Sequence, residues 1–210
     1  MVEIAPPPPK ILPSKPVLYS IDEGECLVRI FDPTRYNIKP LTFRHYGPVA
    51  RFDHQRYSKD APATDEERGI YYTGFTLSCC LVEVFGDKRT IDVGNYCVAL
   101  VELKRPLSLL DLCGTPAMAN GTVVALSSVP QRDISQSWSR YFYENCHVYT
   151  KVDGIIYNNA HNGERSVALY ERATDALNCS PNDVMALSHK ALRTEIRKVA
   201  ELHGLIVVPY

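Results

Sequence analysis

Six of the fifteen prolines fall between residues 6 and 16, four of them in a row at Pro6 to Pro9 and then Pro13 and Pro16. Each removes a backbone donor and fixes φ, so this stretch can follow a polyproline II path but cannot form a helix. Residues 1–23 therefore read as a tail or surface strap, and residues 24–210 as one folding unit. About 190 residues bury roughly 70% of the surface an unfolded chain exposes, enough to need neither disulfide nor metal. The prolines at 33, 40, 48, 62, 106, 116, 130 and 181 punctuate loops.

Lys and Arg total 23 against 24 Asp and Glu, a net charge of -1. There is no cationic excess to neutralise nucleic-acid phosphates or anionic lipid, so neither partner is expected directly. No apolar run reaches the ~20 residues of a membrane span, and prolines occupy the place of a signal peptide's apolar segment, which predicts a cytoplasmic protein. The seven cysteines are odd in number and lack a C-x-x-C pair, and the six histidines lack H-E-x-x-H spacing. Reduced core thiols and no metal site are expected.

Cys26 to Phe31 alternates as a strand. Residues 32–68 are polar and irregular, far longer than an ordinary loop of about 4–6 residues, which marks a functional surface. A short strand is predicted over Gly69 to Thr73, then a helix capped by Thr76 and ending near Gly86, then strands over Tyr96 to Leu103 and Leu107 to Leu112. Gln131 to Cys146 reads as a helix, and Gly154 to Tyr157 and Ser166 to Glu171 as a strand pair. A last helix is predicted from Ser180 as N-cap, through a stripe of Met185, Leu192, Ile196 and Val199, to Gly204. A strand follows, so that residues 181–209 form a C-terminal helix and strand. The elements mix without βαβ alternation and no phosphate-binding glycine motif follows a strand, which makes the fold class α+β.

Arg29 lies inside an apolar strand, where a guanidinium needs an anion: a carboxylate in an ion pair, or a ligand phosphate held by two parallel hydrogen bonds. Arg51 sits in the long polar loop, as a solvated charge or as a second cation for the same anion. Tyr72 ends a strand and offers either a core ring or a stacking face. Glu83 interrupts the helix Leu77 to Phe85, apolar nearly all round, so burial on most sides is expected, with the carboxylate paired to Arg29, protonated or functional.

The strings Leu27-Val28-Arg29-Ile30-Phe31, Ala50-Arg51-Phe52-Asp53-His54, Arg68-Gly69-Ile70-Tyr71-Tyr72, Leu81-Val82-Glu83-Val84-Phe85, and Asp153 to Tyr157 with Val167 to Glu171, in this order and spacing, resemble the RES domain over about residues 24–175. The resemblance implies an ADP-ribosyltransferase-like fold, a mixed or split sheet with flanking helices. It also implies the toxin of a toxin–antitoxin pair that takes NAD+ as substrate, by phosphorolysis with inorganic phosphate or by hydrolysis, with no resident cofactor. ADP-ribose transfer to a protein and a silent binding module are the alternatives. Carried over residue by residue, Glu83, Arg29 and Tyr72 are catalytic, and Arg29, Arg51 and Tyr72 bind NAD+. Asn159 stands where the family has its serine, with a side chain able to hold a ribose hydroxyl or an amide. By analogy His54 and His161 flank the site, as loop histidines or as an acid or base. The implied partner is an Xre-type antitoxin covering the active site, and the implied assembly is a homodimer or a hetero-multimer with that antitoxin.

Overall fold

The computed structural model describes residues 4–208, so residues 1–3 of the tail and Pro209 at the end of the C-terminal segment lie outside the described residues. Along the chain come β1 (Leu18–Ile21), β2 (Cys26–Phe31), β3 (Tyr46–Gly47), β4 (Ala63–Thr64), β5 (Ile70–Gly74) and α1 (Leu77–Phe85). Then follow β6 (Thr90–Asp92), β7 (Cys97–Leu103), β8 (Leu107–Asp111), α2 (Thr115–Ala119), α3 (Arg132–Glu144) and α4 (Cys146–Tyr149). The chain continues through β9 (Gly154–Asn158), β10 (Arg165–Tyr170), β11 (Leu177–Asn178), β12 (Val184–Ala186), α5 (Arg193–His203) and β13 (Ile206–Val208).

Nine strands form one curled sheet in the order β1-β8-β9-β10-β5-β2-β7-β11, with β12 also on β7. Only β8 and β9 pair in parallel within it. The fold is α+β with a mixed sheet and flanking helices. Because strand side chains alternate, the two faces carry different cores. The inner face of the curl packs Leu27, Phe31, Tyr71, Val101, Leu109, Ile156 and Leu169 together. The outer face divides. Val28, Ile30 and Val98 lie under α1 and α5, while Ile70, Leu110, Ile155, Tyr157 and Tyr170 lie under α3 and α4. A gap remains between these two helical layers, above β5.

Two expectations change. Residues 18–21, read as tail, are β1, an edge strand paired antiparallel to β8. The prolines before it strap across the surface, where Ala5 O accepts the indole N–H of Trp138 at 2.9 Å. The long C-terminal helix is also shorter than predicted. Ser180 does cap, with a reciprocal bond to Asp183, but it caps a single 3-10 turn, after which Val184–Ala186 extends to pair with β7. The helix proper starts at Arg193 and ends on Gly204, whose φ of 62° suits a residue without Cβ. The unmet backbone groups of β7 outcompete one more turn of helix.

Candidate active site

The gap above β5 is a cleft of about 380 Å³ lined by Arg51, Tyr72, Glu83, Asp87, Arg132 and His161, with Ala50, Pro130 and Ala160. Its floor is Tyr72 of β5, one wall is α1, and the facing wall is the 50–51 loop with the start of α3. A smaller recess of about 60 Å³ shares Tyr72 and Glu83 and reaches Cys79, Tyr157 and Ser166.

The floor is fixed by Asp53, a fully buried carboxylate. It takes two bonds from the Arg44 guanidinium at 2.9 and 2.8 Å, the amides of Val49 and Ala50 at 2.6 and 2.8 Å, and the Tyr72 hydroxyl at 2.8 Å. The Tyr72 oxygen in turn accepts the Phe52 amide at 3.0 Å. Burial, then the Asp53 charge, pushes the Tyr72 pKa well up, so the phenol stays neutral and presents its ring to the cleft. One carboxylate thus ties the loop carrying Arg51 to the strand carrying Tyr72.

Glu83 departs from its expected burial. The helix buries Cys79, Cys80, Leu81, Val82 and Phe85, while Glu83 opens onto the cleft. Its carboxylate makes no hydrogen bond or ion pair among the described residues, and the expected pairing with Arg29 is absent. Solvent reaches the carboxylate, but the concave wall thins the water around it. That desolvation raises its pKa, against the pull of His161 and Arg51. Arg51 donates to the carbonyl of Val129 and Arg132 to that of Val49, the latter at 3.1 Å. Among the described residues neither forms an ion pair with a carboxylate. Burial lowers the Arg51 pKa, and Glu83 opposes this as the largest charge effect. His161 lies 3.6 Å from Asp87, and its ring sits on Gly86, where a Cβ would come within 2.8 Å of it.

Three expected site residues lie elsewhere. Arg29 shares the inner face with Leu27 and Phe31, its guanidinium 4.0 Å over the Tyr71 ring and bonded to Thr42 O at 2.9 Å. The sheet separates it from Tyr72 and Glu83. Its anion is replaced by an aromatic face and a carbonyl, a solution strand alternation alone does not reveal. Asn159 is 3% exposed, and its side-chain oxygen accepts the amides of His161 and Asn162 at 3.0 Å each. Its amide group points to Cys79 Sγ at 3.6 Å. It shapes the turn that carries His161 and does not line the cleft. His54 is buried between Tyr143 and Tyr170 and bonded to Glu171 at 3.1 Å, away from the cleft. Arg132 is the wall residue that sequence reasoning missed. Its position at the first turn of a helix beside Pro130 was legible, but its nearness to Arg51 was not.

The molecule is thus an α+β protein with a curled mixed sheet and a polar cleft between two helical layers, whose two arginines form no ion pair with a carboxylate among the described residues. The RES domain family model matches residues 27–189, and the chain belongs to that family. A relative described as "Probable toxin y4kH", from Sinorhizobium fredii (strain NBRC 101917 / NGR234), is 32% identical over 98 residues, 44% of this chain and 75% of that protein. Among solved structures, a chain of the crystal structure of the M. tuberculosis MbcT-MbcA toxin-antitoxin complex superposes with a TM-score of 0.53 at 15% identity. That alignment covers 85% of this chain and 92% of the other, and shows a shared fold. Among the described residues no group of His, Cys, Asp and Glu is arranged to hold a metal ion, and no helix is long and apolar enough to cross a membrane.

Proposed function

We propose that this chain is the toxin of a toxin–antitoxin pair and that its cleft breaks the nicotinamide–ribose bond of NAD+. The observation that carries this reading is the unpaired Glu83 carboxylate facing two guanidiniums without carboxylate partners across a tyrosine floor. Cleavage moves the C–N bonding pair onto the nicotinamide nitrogen, which leaves as a neutral ring, while positive charge builds on the ribose. Glu83 stabilises that charge and accepts ribose hydroxyls, the Tyr72 ring stacks near the nicotinamide, and the arginines hold the phosphates. The oxygen of inorganic phosphate or water then bonds to the ribose carbon, and water gives up its proton to solvent. The toxin assignment draws on the family, the relative named a probable toxin and the fold shared with a toxin–antitoxin complex. An antitoxin laid over the cleft would silence it.

The test is purified chain incubated with NAD+ with and without inorganic phosphate, with free nicotinamide and the ribose product followed. Phosphate-dependent release marks a phosphorylase and phosphate-independent release a glycohydrolase. ADP-ribose found on a protein band, or no release at all, overturns this reading.

A further inference from the structure

We infer that Cys79 and Cys80, in the recess that shares Tyr72 and Glu83 with the cleft, form a modification site for a small hydroperoxide, Cys79 being oxidised and Cys80 closing a bridge onto it. Both sulfurs lie over one strand glycine. A Cβ on Gly74 would stand 2.9 Å from Cys79 Sγ and 3.1 Å from Cys80 Sγ, so a residue without one leaves the two thiols room to share that space. Cys79 is in the first turn of α1, where the helix N-terminus favours a thiolate. Its sulfur is 3.1 Å from Ser166 Oγ and receives the Asn159 amide group at 3.6 Å, while Arg165 O accepts the thiol proton at 3.3 Å. A hydrogen bond with Cys80 first, then those with Ser166 and Asn159, hold the Cys79 pKa down against burial and Glu164. The bond with Cys79, then burial, pushes Cys80 well up. One thiol is thus set to attack and its neighbour to keep its proton.

Both cysteines are buried, which limits the reagent. The recess of about 60 Å³ has room for roughly two waters at ~30 Å³ each, so hydrogen peroxide fits and a bulky disulfide such as oxidised glutathione does not. The Cys79 thiolate attacks one peroxide oxygen and the O–O bond breaks. One OH passes to sulfur, giving a sulfenic acid, and the other leaves as hydroxide, which takes a proton from solvent. The Cys80 sulfur then attacks that of Cys79, the S–O bond breaks, and the Cys80 proton leaves with the hydroxyl as water. Consecutive Cα atoms are ~3.8 Å apart, short of the ~4.4 Å at which bridges normally begin, so this bridge distorts the first turn of α1 and stays easy to reduce. Glu83 lies one turn further along the same helix, so that distortion moves it in the cleft.

The test is the purified full chain titrated with hydrogen peroxide, its remaining thiols blocked with N-ethylmaleimide under denaturation, and its peptides weighed. The peptide with Cys79 and Cys80 should lose two hydrogens and both maleimide labels before the exposed Cys26 loses its own, and dithiothreitol should restore them. Cys80→Ser should stop at a sulfenic acid on Cys79, trapped by dimedone added with the denaturant, and Cys79→Ser should leave Cys80 fully labelled. On the NAD+ reading, nicotinamide release should fall ~10²-fold in the bridged wild type, the scale of a small misplacement in a catalytic site, and recover with dithiothreitol. The ratio of rates after and before peroxide should stay near one in Cys79→Ser. If the untreated chain releases no nicotinamide, the NAD+ reading fails and the peptide masses alone decide the modification site. Cys26 oxidised while the pair still takes both labels, or a Cys79 sulfenic acid that persists beside a free Cys80, overturns the inference, and full turnover by the bridged chain overturns its link to Glu83.

Discussion

Glu83 takes up a proton at higher pH than an ordinary glutamate because the cleft wall partly desolvates its carboxylate, against the pull of His161 and Arg51. If the carboxylate carries the reaction, nicotinamide release declines as pH falls through that raised pKa, since the working form is the one lost. A pH–rate profile should show this acid limb in the wild type and lack it in the residual rate of Glu83→Gln. Arg29 acts on another property. Its contacts are the Tyr71 ring and Thr42 O, so Arg29→Ala should lower Tm by roughly 2–6 °C for the loss of ~1–2 kcal/mol, while KM for NAD+ stays within about twofold. Residue type singled out Glu83 as a carboxylate on an apolar helix but expected it buried, and left Arg51 a solvated charge or a second cation; the resemblance placed both in one site, and both line the cleft. Residue type misjudged Arg29, because an arginine in an apolar strand has the same signature whether it meets a phosphate or a tyrosine face.

The element that decides the site's shape is the loop between β3 and β4, and Asp53 is its anchor. Four groups donate five hydrogen bonds to that carboxylate, so Asp53→Ala leaves Arg44 without its ion-pair partner and releases both the Arg51 loop and Tyr72. The expected outcome is a loss of about 3–5 kcal/mol in denaturant unfolding, together with a raised KM for NAD+ in the protein that remains folded. Elements with local signals were readable: β2 from its alternation, and α1 from the Thr76 cap, whose hydroxyl accepts the Cys79 amide at 2.9 Å. The Ser180 capping box was just as clear and still misled, since a cap fixes where a turn starts and not how far it runs. Met185, Leu192, Ile196 and Val199, predicted as one helical stripe, do meet in one core, reached from β12, a 3-10 turn and α5.

Across the whole molecule, the cleft is assembled from segments around residues 50, 72, 83, 132 and 161, and only their convergence makes a site. That convergence depends on strand order, which periodicity does not encode, and so the face on which Arg29 lies and the approach of Arg132 to Arg51 were not legible. The N-terminal strap, described from Ile4 on, packs on the helix that carries Arg132. Trp138 is the chain's single tryptophan and its indole is tied to Ala5. Deleting residues 1–16 should red-shift its fluorescence and cost a few degrees in Tm, whereas deletion through Ile21 removes an edge strand and should abolish folding. The measurement that bears most directly on the cleft is nicotinamide release from NAD+ by the wild type and by Glu83→Gln, with circular dichroism and Tm matched. A rate ~10²–10³ lower in a folded Glu83→Gln protein is the predicted result, the scale of removing one preorganised charge. Wild-type turnover by that folded variant would contradict the account.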